Sequence, residues 1–427
     1  MQKLDYATVL QLLFTRTNQG IKLGLETTQA LLHALGNPER QMRHVVIAGT
    51  NGKGSTSNFI ASALQSAGHC VGHYTSPHLL RFTERIRINS VEINHDDVVR
   101  LYMNIRRAES ACPRPATFFE IITVMALLAF AEANVDITVM EIGLGGRFDA
   151  VNVVDKLLAV ITPISLDHMQ YLGNNLTAIA NEKAGIIGRH TVVVTSQQKP
   201  EVLAVLKKTA ATQNAHLVMA TQAQKNTDKI SINHAAGMLE FKHTPIAAYQ
   251  RENLATACTA IRELVKLGVA CPDAAIYRAV SDFQWPGRYQ WIDGKPDILI
   301  DGAHNPAGIK ALLSAIAEDS RIGNKPVHTV ATILTDRPYE QMLLPILTRS
   351  TTLHLTTINN SRSRTYTELK KLAPKAFVYS NVNEAISQAK AHAIKNNGIV
   401  LICGSLFLVA ETLALLQNQK RDPLING

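Results

Sequence analysis

The stretch IAGTNGKGST at residues 47–56 limits the fold more than any other feature of the chain. Three glycines and a lysine stand between an apolar, β-branched run at 44–48 and a helical pattern from Ser55 onward. That helical pattern puts Phe59, Ile60, Ala63, Leu64 and Ala67 on one face and stops at Gly68. A strand running through a glycine turn into a helix points backbone N–H groups and the helix dipole at one spot, which favours an anion. The common phosphate-loop spacing is not met. Ile47 stands where its first glycine belongs, and Gly54 follows Lys53 where a hydroxyl residue belongs. Context and composition still predict phosphate binding by Asn51, Gly52, Lys53, Gly54 and Ser55. Lys53 supplies a point charge, and Ser55 or Thr56 a hydroxyl for Mg²⁺. The plain alternative is a tight turn with a solvated lysine.

Further β-branched runs at 136–141, 157–162, 191–195, 297–301, 329–334 and 399–403 alternate with helical patterns such as 57–67 and 309–317. Such alternation predicts an α/β fold of mostly parallel sheets covered by helices. At 427 residues the chain is long for one core, so two or three domains are expected. The sequence WPGRYQWIDGKPD breaks the pattern near residue 290 with Pro286-Gly287 and Gly294-Lys295-Pro296, and a new strand follows. The boundary is placed there: a larger N-terminal domain, 1–295, of the phosphate-loop ATPase type, and a smaller Rossmann-like C-terminal domain, 296–427.

The net charge of +9 suits acidic small molecules, but the basic residues are scattered and aromatics are few, which argues against nucleic acid. Five cysteines without a CxxC pair read as buried small hydrophobes in a reducing compartment, not as a disulfide frame or zinc site. The opening MQKLDYATVL does not read as a signal peptide. Glu120, Glu132 and Glu411 interrupt the two most apolar stretches, 118–135 and 398–416. No membrane span or membrane partner is therefore expected, and the location expected is cytoplasmic.

Glu141 ends an apolar run and opens Gly143-Leu144-Gly145-Gly146, a turn at the carboxyl edge of a parallel sheet, where such sheets place ligands. Other polar residues are less telling by themselves. Lys183 reads as a surface helix lysine, His168 as a satisfied polar residue, His304 beside Pro306 as structural, and Arg288 as half of an interdomain salt bridge.

Nine ordered motifs change that balance: GIKLGLE, AGTNGKGST, YTSPHLLRFTERIRIN, TFFE, MEIGLGGRFDAVNVV, ISLDHMQYLG, NEKAGI, WPGRYQ and DGAHNP. Together they make the chain resemble the Mur ligase superfamily of ATP-dependent amide-bond ligases, and within it the dihydrofolate synthase/folylpolyglutamate synthase family. The resemblance implies ligation of L-glutamate to dihydropteroate, and of further glutamates to tetrahydrofolate and its polyglutamates, through an acyl phosphate. It implies ATP and Mg²⁺, with Ser55, Ser76, Glu141, His168 and a carbamylated Lys183 as metal ligands. A monovalent cation is entertained as an additional cofactor, and a monomer is expected. Lys53, His168, Lys183 and His304 are the implied catalytic residues, and Asn253, Arg288 and Asp301 complete the nucleotide site. The implied acceptor contacts are Thr15, Arg16, Thr17, Asn18, Thr117, Phe118, Phe119, Glu120, Phe148, Asp149 and Ala150. Phe118 and Phe119, pointing opposite ways if extended, would leave one ring for the ligand and one for the core. Three alternatives stand beside this reading: a folylpolyglutamate synthase without dihydropteroate activity, a cell-wall Mur ligase, and a non-catalytic nucleotide-binding module. The cell-wall ligase is disfavoured because too few residues precede the glycine loop to form a UDP-substrate domain.

Overall fold

Each apolar run becomes a strand because it is covered on both faces, as parallel sheets require. In the first, Arg43–Ala48 (β1), only the leading residue is exposed. The structure, a computed structural model, describes residues 4–16, 24–226, 229–234, 237–242 and 247–423. Its first sheet adds β2 (Val71–Tyr74), β3 (Ile86–Ile88), β4 (Val91–Glu92), β5 (Ile137–Glu141), β6 (Lys156–Ile161), β7 (Val192–Thr195) and β8 (His216–Met219). The order is β4-β3-β2-β5-β1-β6-β7-β8, parallel from β2 to β8, with β3 and β4 antiparallel at one edge. β1 lies between β5 and β6, so the turns after these three strands open side by side at the carboxyl edge. One apolar cluster covers one face through the helix Phe118–Glu132, and a second covers the other face through the helices Lys53–Ser66 and Ala248–Lys266.

The helix after the glycine loop starts at Lys53, two residues earlier than the sequence pattern suggests. Gly52, at φ +88°, turns the chain into the helix one residue before the lysine. Phe59, Ile60, Ala63 and Leu64 are buried as expected. The helix closes at Gly68, at φ +97°, where the His69 N–H donates to the Leu64 carbonyl at 3.1 Å.

A small antiparallel sheet, β9 (Ala223–Asn226), β10 (Lys229–His234) and β11 (Gly237–Lys242), was not expected from the sequence. Its Ile230, Ile232, Leu239 and Phe241 join the cluster under the helix Ala248–Lys266. The last sheet comprises β12 (Gln290–Ile292), β13 (Ile298–Ile300), β14 (Val327–Ala331), β15 (Thr352–Thr356), β16 (Phe377–Tyr379) and β17 (Ile399–Cys403), ordered β12-β13-β17-β14-β15-β16. β12 precedes residue 295 and pairs antiparallel with β13, so this sheet begins before the position chosen for the boundary. All five cysteines are free; Cys258, Cys271 and Cys403 are buried, Cys70 and Cys112 only partly. Among the described residues no helix is long and apolar enough to cross a membrane.

His44 is a buried polar residue inside β1. Its Nδ1 lies 2.7 Å from Thr138 Oγ1 on β5 and its Nε2 2.7 Å from the Glu39 carbonyl. Burial pushes its pKa from 6.5 down to about 4. An unfolded chain therefore takes up the proton first. The stability from neutral His44 is full above about pH 6.5 and is lost as the pH falls towards 4, by up to about 3 kcal/mol. His44→Gln should flatten that stretch of a pH series of urea denaturations; parallel curves for both proteins would exclude the effect.

Candidate functional site

The three carboxyl-edge turns and the start of the second unit enclose one cavity of about 1370 Å³. Gly49, at φ +148°, lies so close to Thr162 that a Cβ would fall 1.9 Å from its hydroxyl oxygen. A Cβ on Gly52 would fall 2.2 Å from Asn253 Oδ1. Asn253, from the helix Ala248–Lys266, thus lies against the loop and still lines the cavity. The first intrahelical bond runs from the Thr56 N–H to the Gly52 carbonyl, 2.9 Å. The amides of Lys53, Gly54 and Ser55 ahead of it are the unpaired donors of a helix N-terminus.

Lys53 Nζ is 3.7 Å from Glu141 Oε1 and donates to the Thr50 carbonyl at 3.3 Å. Glu141 is buried, which raises its pKa against the opposing charge of Lys53, and it accepts from the Ser76 N–H at 3.3 Å. Lys183 is not a surface lysine. It is buried, and its ammonium donates to the Gly49 carbonyl at 2.8 Å. Burial, then the charge of Lys53, lowers its pKa to about 7. Gly146 makes this approach feasible, because a Cβ there would meet the carbonyls of Glu182 and Lys183 at 2.7 and 2.9 Å.

The second unit closes the cavity from the other side. Asn51 and Asn305 exchange amide hydrogen bonds at 3.2 and 3.0 Å. Asp301 accepts from the Tyr249 hydroxyl and from the N–H groups of Tyr289 and Ala303. Arg288 lies against Gly302, and His304 is oriented by the Gly302 carbonyl, 2.8 Å from its Nδ1. Buried Asp167 had no place in the sequence reading. It accepts from Asn305 Nδ2 at 2.9 Å, pairs with Arg337, and lies 3.8 Å from both His168 Nε2 and His304 Nε2. Burial alone would raise its pKa, but His304, His168 and Arg337 together hold it well below the usual carboxylate range. Both imidazoles are pushed by burial to about 4. They are neutral at pH 7.

Phe119, Phe148 and Ala150 also line this cavity. Phe118 and Phe119 stand on the first helical turn instead of an extended strand. Their rings meet edge to face at 5.2 Å; Phe118 is buried in the core and Phe119 lies beside Gly143, and both, with Thr117 and Glu120, contribute to the cavity wall. Thr117 and Glu120 form the capping box of that helix, and both Glu120 oxygens also accept from Arg114 at 2.9 Å. Asp149 accepts from the amides of Gly143, Leu144 and Val151, so its oxygens are held by its own loop. Arg16 reaches the cavity rim and pairs with Glu109 at 2.7 Å. Thr15 is exposed, bonded to the Leu12 carbonyl, and is not part of the cavity wall. Thr17 and Asn18 lie outside the described residues.

Residues 47–261 match the Mur ligase middle domain, and residues 287–406 match the Mur ligase glutamate ligase domain. The chain is 34% identical over 419 residues to a dihydrofolate synthase/folylpolyglutamate synthase of Bacillus subtilis, covering 93% of this chain and 95% of that protein. It is 31% identical to the Escherichia coli protein of the same name, covering 94% and 93%. The solved structure of E. coli FolC in complex with DHPP and ADP superposes with a TM-score of 0.89 at 29% identity, covering 97% of this chain and 98% of that one. A Yersinia pestis bifunctional folylpolyglutamate synthase/dihydrofolate synthase, complexed with AMPPNP and a Mn ion, gives a TM-score of 0.85 at 29% identity, covering 97% and 98%.

Asp167 is buried on the loop after β6 and Arg337 is largely buried on the loop after β14, so breaking the pair leaves a buried carboxylate without its main cation. Arg337→Ala should cost about 3–5 kcal/mol and separate the unfolding of the two halves. A single urea transition at the wild-type midpoint would mean that the pair does not couple them.

Proposed function

The chain belongs to the Mur ligase family, and on that premise we propose how its residues serve an ATP-dependent carbon–nitrogen ligase that acts as a dihydrofolate synthase and folylpolyglutamate synthase. Such an enzyme joins L-glutamate to dihydropteroate, giving dihydrofolate, and adds further L-glutamates to reduced folates. The observation that carries the reading is the single cavity. At about 1370 Å³ it exceeds the roughly 300–1,000 Å³ of an ordinary small-molecule site, as a site for three reactants must. Its wall carries Lys53, Lys183 and Arg288 together with the apolar rings of Phe119 and Phe148.

A carboxylate is a poor electrophile, so the γ-phosphoryl group of ATP first passes to the acceptor carboxylate to give an acyl phosphate. Positioning and charge neutralisation dominate such a step. The Lys53 ammonium and the amides of Lys53, Gly54 and Ser55 face the polyphosphate, with Gly52 and the Asn51 side chain beside them. Arg288 brings a planar fork from the domain seam, and Asn253 and Asp301 border the nucleoside. Hard oxygens at Ser55, Ser76 and Glu141, with the neutral imidazole of His168, form a donor set that fits Mg²⁺, and buried Glu141 calls for a cation. Bound there, Mg²⁺ would neutralise phosphate charge. The L-glutamate amine then attacks the acyl carbon, the amide forms and phosphate leaves. His304 borders the phosphates, while Asp167, Asn305 and Arg337 position it and hold the halves together. Phe119 and Phe148 provide apolar faces for the flat heterocycle, and the backbone near Asp149 and Ala150 supplies its polar contacts. We expect a monomer as the working unit.

Phosphate release with ATP and Mg²⁺ tests this reading. It is measured with and without L-glutamate on dihydropteroate and on tetrahydrofolate, with products identified by mass. Glutamate addition to both acceptors is expected, with Lys53→Ala lowering kcat by about 10²–10³. Activity on tetrahydrofolate alone would leave a monofunctional folylpolyglutamate synthase, and silence with both would leave a nucleotide-binding module. A near-wild-type kcat for Lys53→Ala would remove Lys53 from the phosphate site.

Lys183 as an ammonium does not fit a cation site; as a carbamate it does. A pKa lowered to about 7 leaves much of the amine free near neutrality. The free amine adds CO₂ and loses a proton, which turns a cation into an oxygen donor. A native mass spectrum in bicarbonate buffer should carry one added CO₂, absent from Lys183→Arg. An unmodified wild-type mass would exclude the carbamate.

A further inference from the structure

Three histidines meet on one face of the second sheet. His328 on β14 is in register with Thr352 on β15, and Val330 with His354, so His328 and His354 project to the same side. The helix Val382–Lys395 packs on that side through Ala385, Ile386, Ala389 and Ala393 and brings His392 to the other two rings. One nitrogen of each ring falls within 4.8 Å of the other two. His354 Nε2 and His392 Nδ1 are 3.2 Å apart. Two imidazole ligands on one tetrahedral Zn²⁺, each at about 2.0–2.1 Å, would have nitrogens about 3.3 Å apart.

The remaining polar atoms suit the same purpose. Thr352 Oγ1 holds His328 Nδ1 at 2.8 Å and also touches His354 Nε2 at 2.9 Å; the Tyr379 hydroxyl lies 3.2 Å from His354 Nδ1. Metal-binding histidines are commonly oriented in this way through their other nitrogen. His328 Nε2 is buried and has no hydrogen-bond partner among the described residues, which is costly for a group that bonds strongly to water. We propose that His328, His354 and His392 bind a borderline divalent transition-metal ion such as Zn²⁺. The ion takes the unpaired electron pair of His328, displaces the contact between His354 and His392, and keeps a water on the partly open His392 side. Three imidazoles select Zn²⁺, Cu²⁺ or Ni²⁺ over Mg²⁺. The ligase cavity opens after the carboxyl ends of β13 and β14, whereas His328 stands near the start of β14. The bound ion is therefore structural, fastening the helix to the sheet.

The test titrates ZnCl₂ into metal-stripped protein, without Mg²⁺ or nucleotide, against a chromophoric chelator. Wild type, His392→Gln and Glu141→Gln are compared. His392→Gln should lose one Zn²⁺ equivalent, or at least tenfold in affinity for it, and Glu141→Gln should keep it. Zn²⁺ should raise the Tm of wild type and Glu141→Gln by several degrees and leave that of His392→Gln unchanged. Should His392→Gln fold poorly, Co²⁺ in the Glu141→Gln protein gives an independent reading, with the intense visible bands of a low-coordinate nitrogen site expected. Equal Zn²⁺ binding by wild type and His392→Gln would overturn the proposal, and so would featureless Co²⁺ spectra.

Discussion

The carbonyl of Gly49 and the buried ammonium of Lys183, 2.8 Å apart, fasten the glycine loop to the helix Leu176–Ala184. Much of the surrounding backbone is arranged to permit that contact. Gly49 lets β1 run against Thr162, Gly146 lets the turn after β5 lie on the carbonyls of Glu182 and Lys183, and Gly185 lies against Arg147. A side chain at any of these positions would lift one layer from the next and draw Lys183 away from the loop. One neutral carbonyl does not compensate for burying an ammonium near Lys53, which is why the pKa of Lys183 falls to about 7. The loop thus holds a buried amine whose charge its neighbours leave uncompensated, so Lys183 gives up its proton readily.

The same logic with the sign reversed operates at the seam between the two sheets. Asp167 is a buried carboxylate that would be costly alone, and the groups that relieve it come from the second unit: Asn305 by a hydrogen bond and Arg337 by its charge. The reciprocal amide pair of Asn51 and Asn305 joins the phosphate loop itself to this network. The polar part of the contact between the halves is thus placed at the reacting centre, while Leu79 and Leu80 supply an apolar part by packing into the core of the second sheet. The polar part responds to the charge of what lies in the cavity, and the apolar part does not.

Much of this was legible in the sequence, for a physical reason. Strands covered on both faces must be apolar throughout, so 44–48, 157–162 and 399–403 stood out within a residue of their observed limits. The glycine loop declared itself because only glycine tolerates φ near +88° and such close backbone approach. The small antiparallel sheet did not declare itself, since its alternating Ile230, Ser231 and Ile232 is a short, weak pattern. Nor did the network at Asp167, whose partners are 138 and 170 residues away and carry no periodic signal. Thr117-Phe118-Phe119-Glu120 carried a local signal that was missed. Thr followed three residues later by Glu before an apolar run is a capping box, and the helix it starts turns the two rings about 100° apart, not opposite.

That helical start bears on how a flat acceptor would be recognised. Glu120 is committed to the Thr117 N–H and Arg114, and Asp149 to three amides of its own loop. Glu120 is buried and Asp149 partly so, and turning either towards a ligand would leave backbone donors unpaired. On the reading proposed above, selection of the heterocycle therefore rests on the apolar rings of Phe119 and Phe148, which line the cavity, and on backbone groups, not on Glu120 or Asp149. Shape and backbone contacts change little between oxidised and reduced rings of the same outline. Recognition of this kind suits an enzyme that accepts dihydropteroate in one reaction and reduced folates in the next, with the reacting carboxylate held near Lys53 each time.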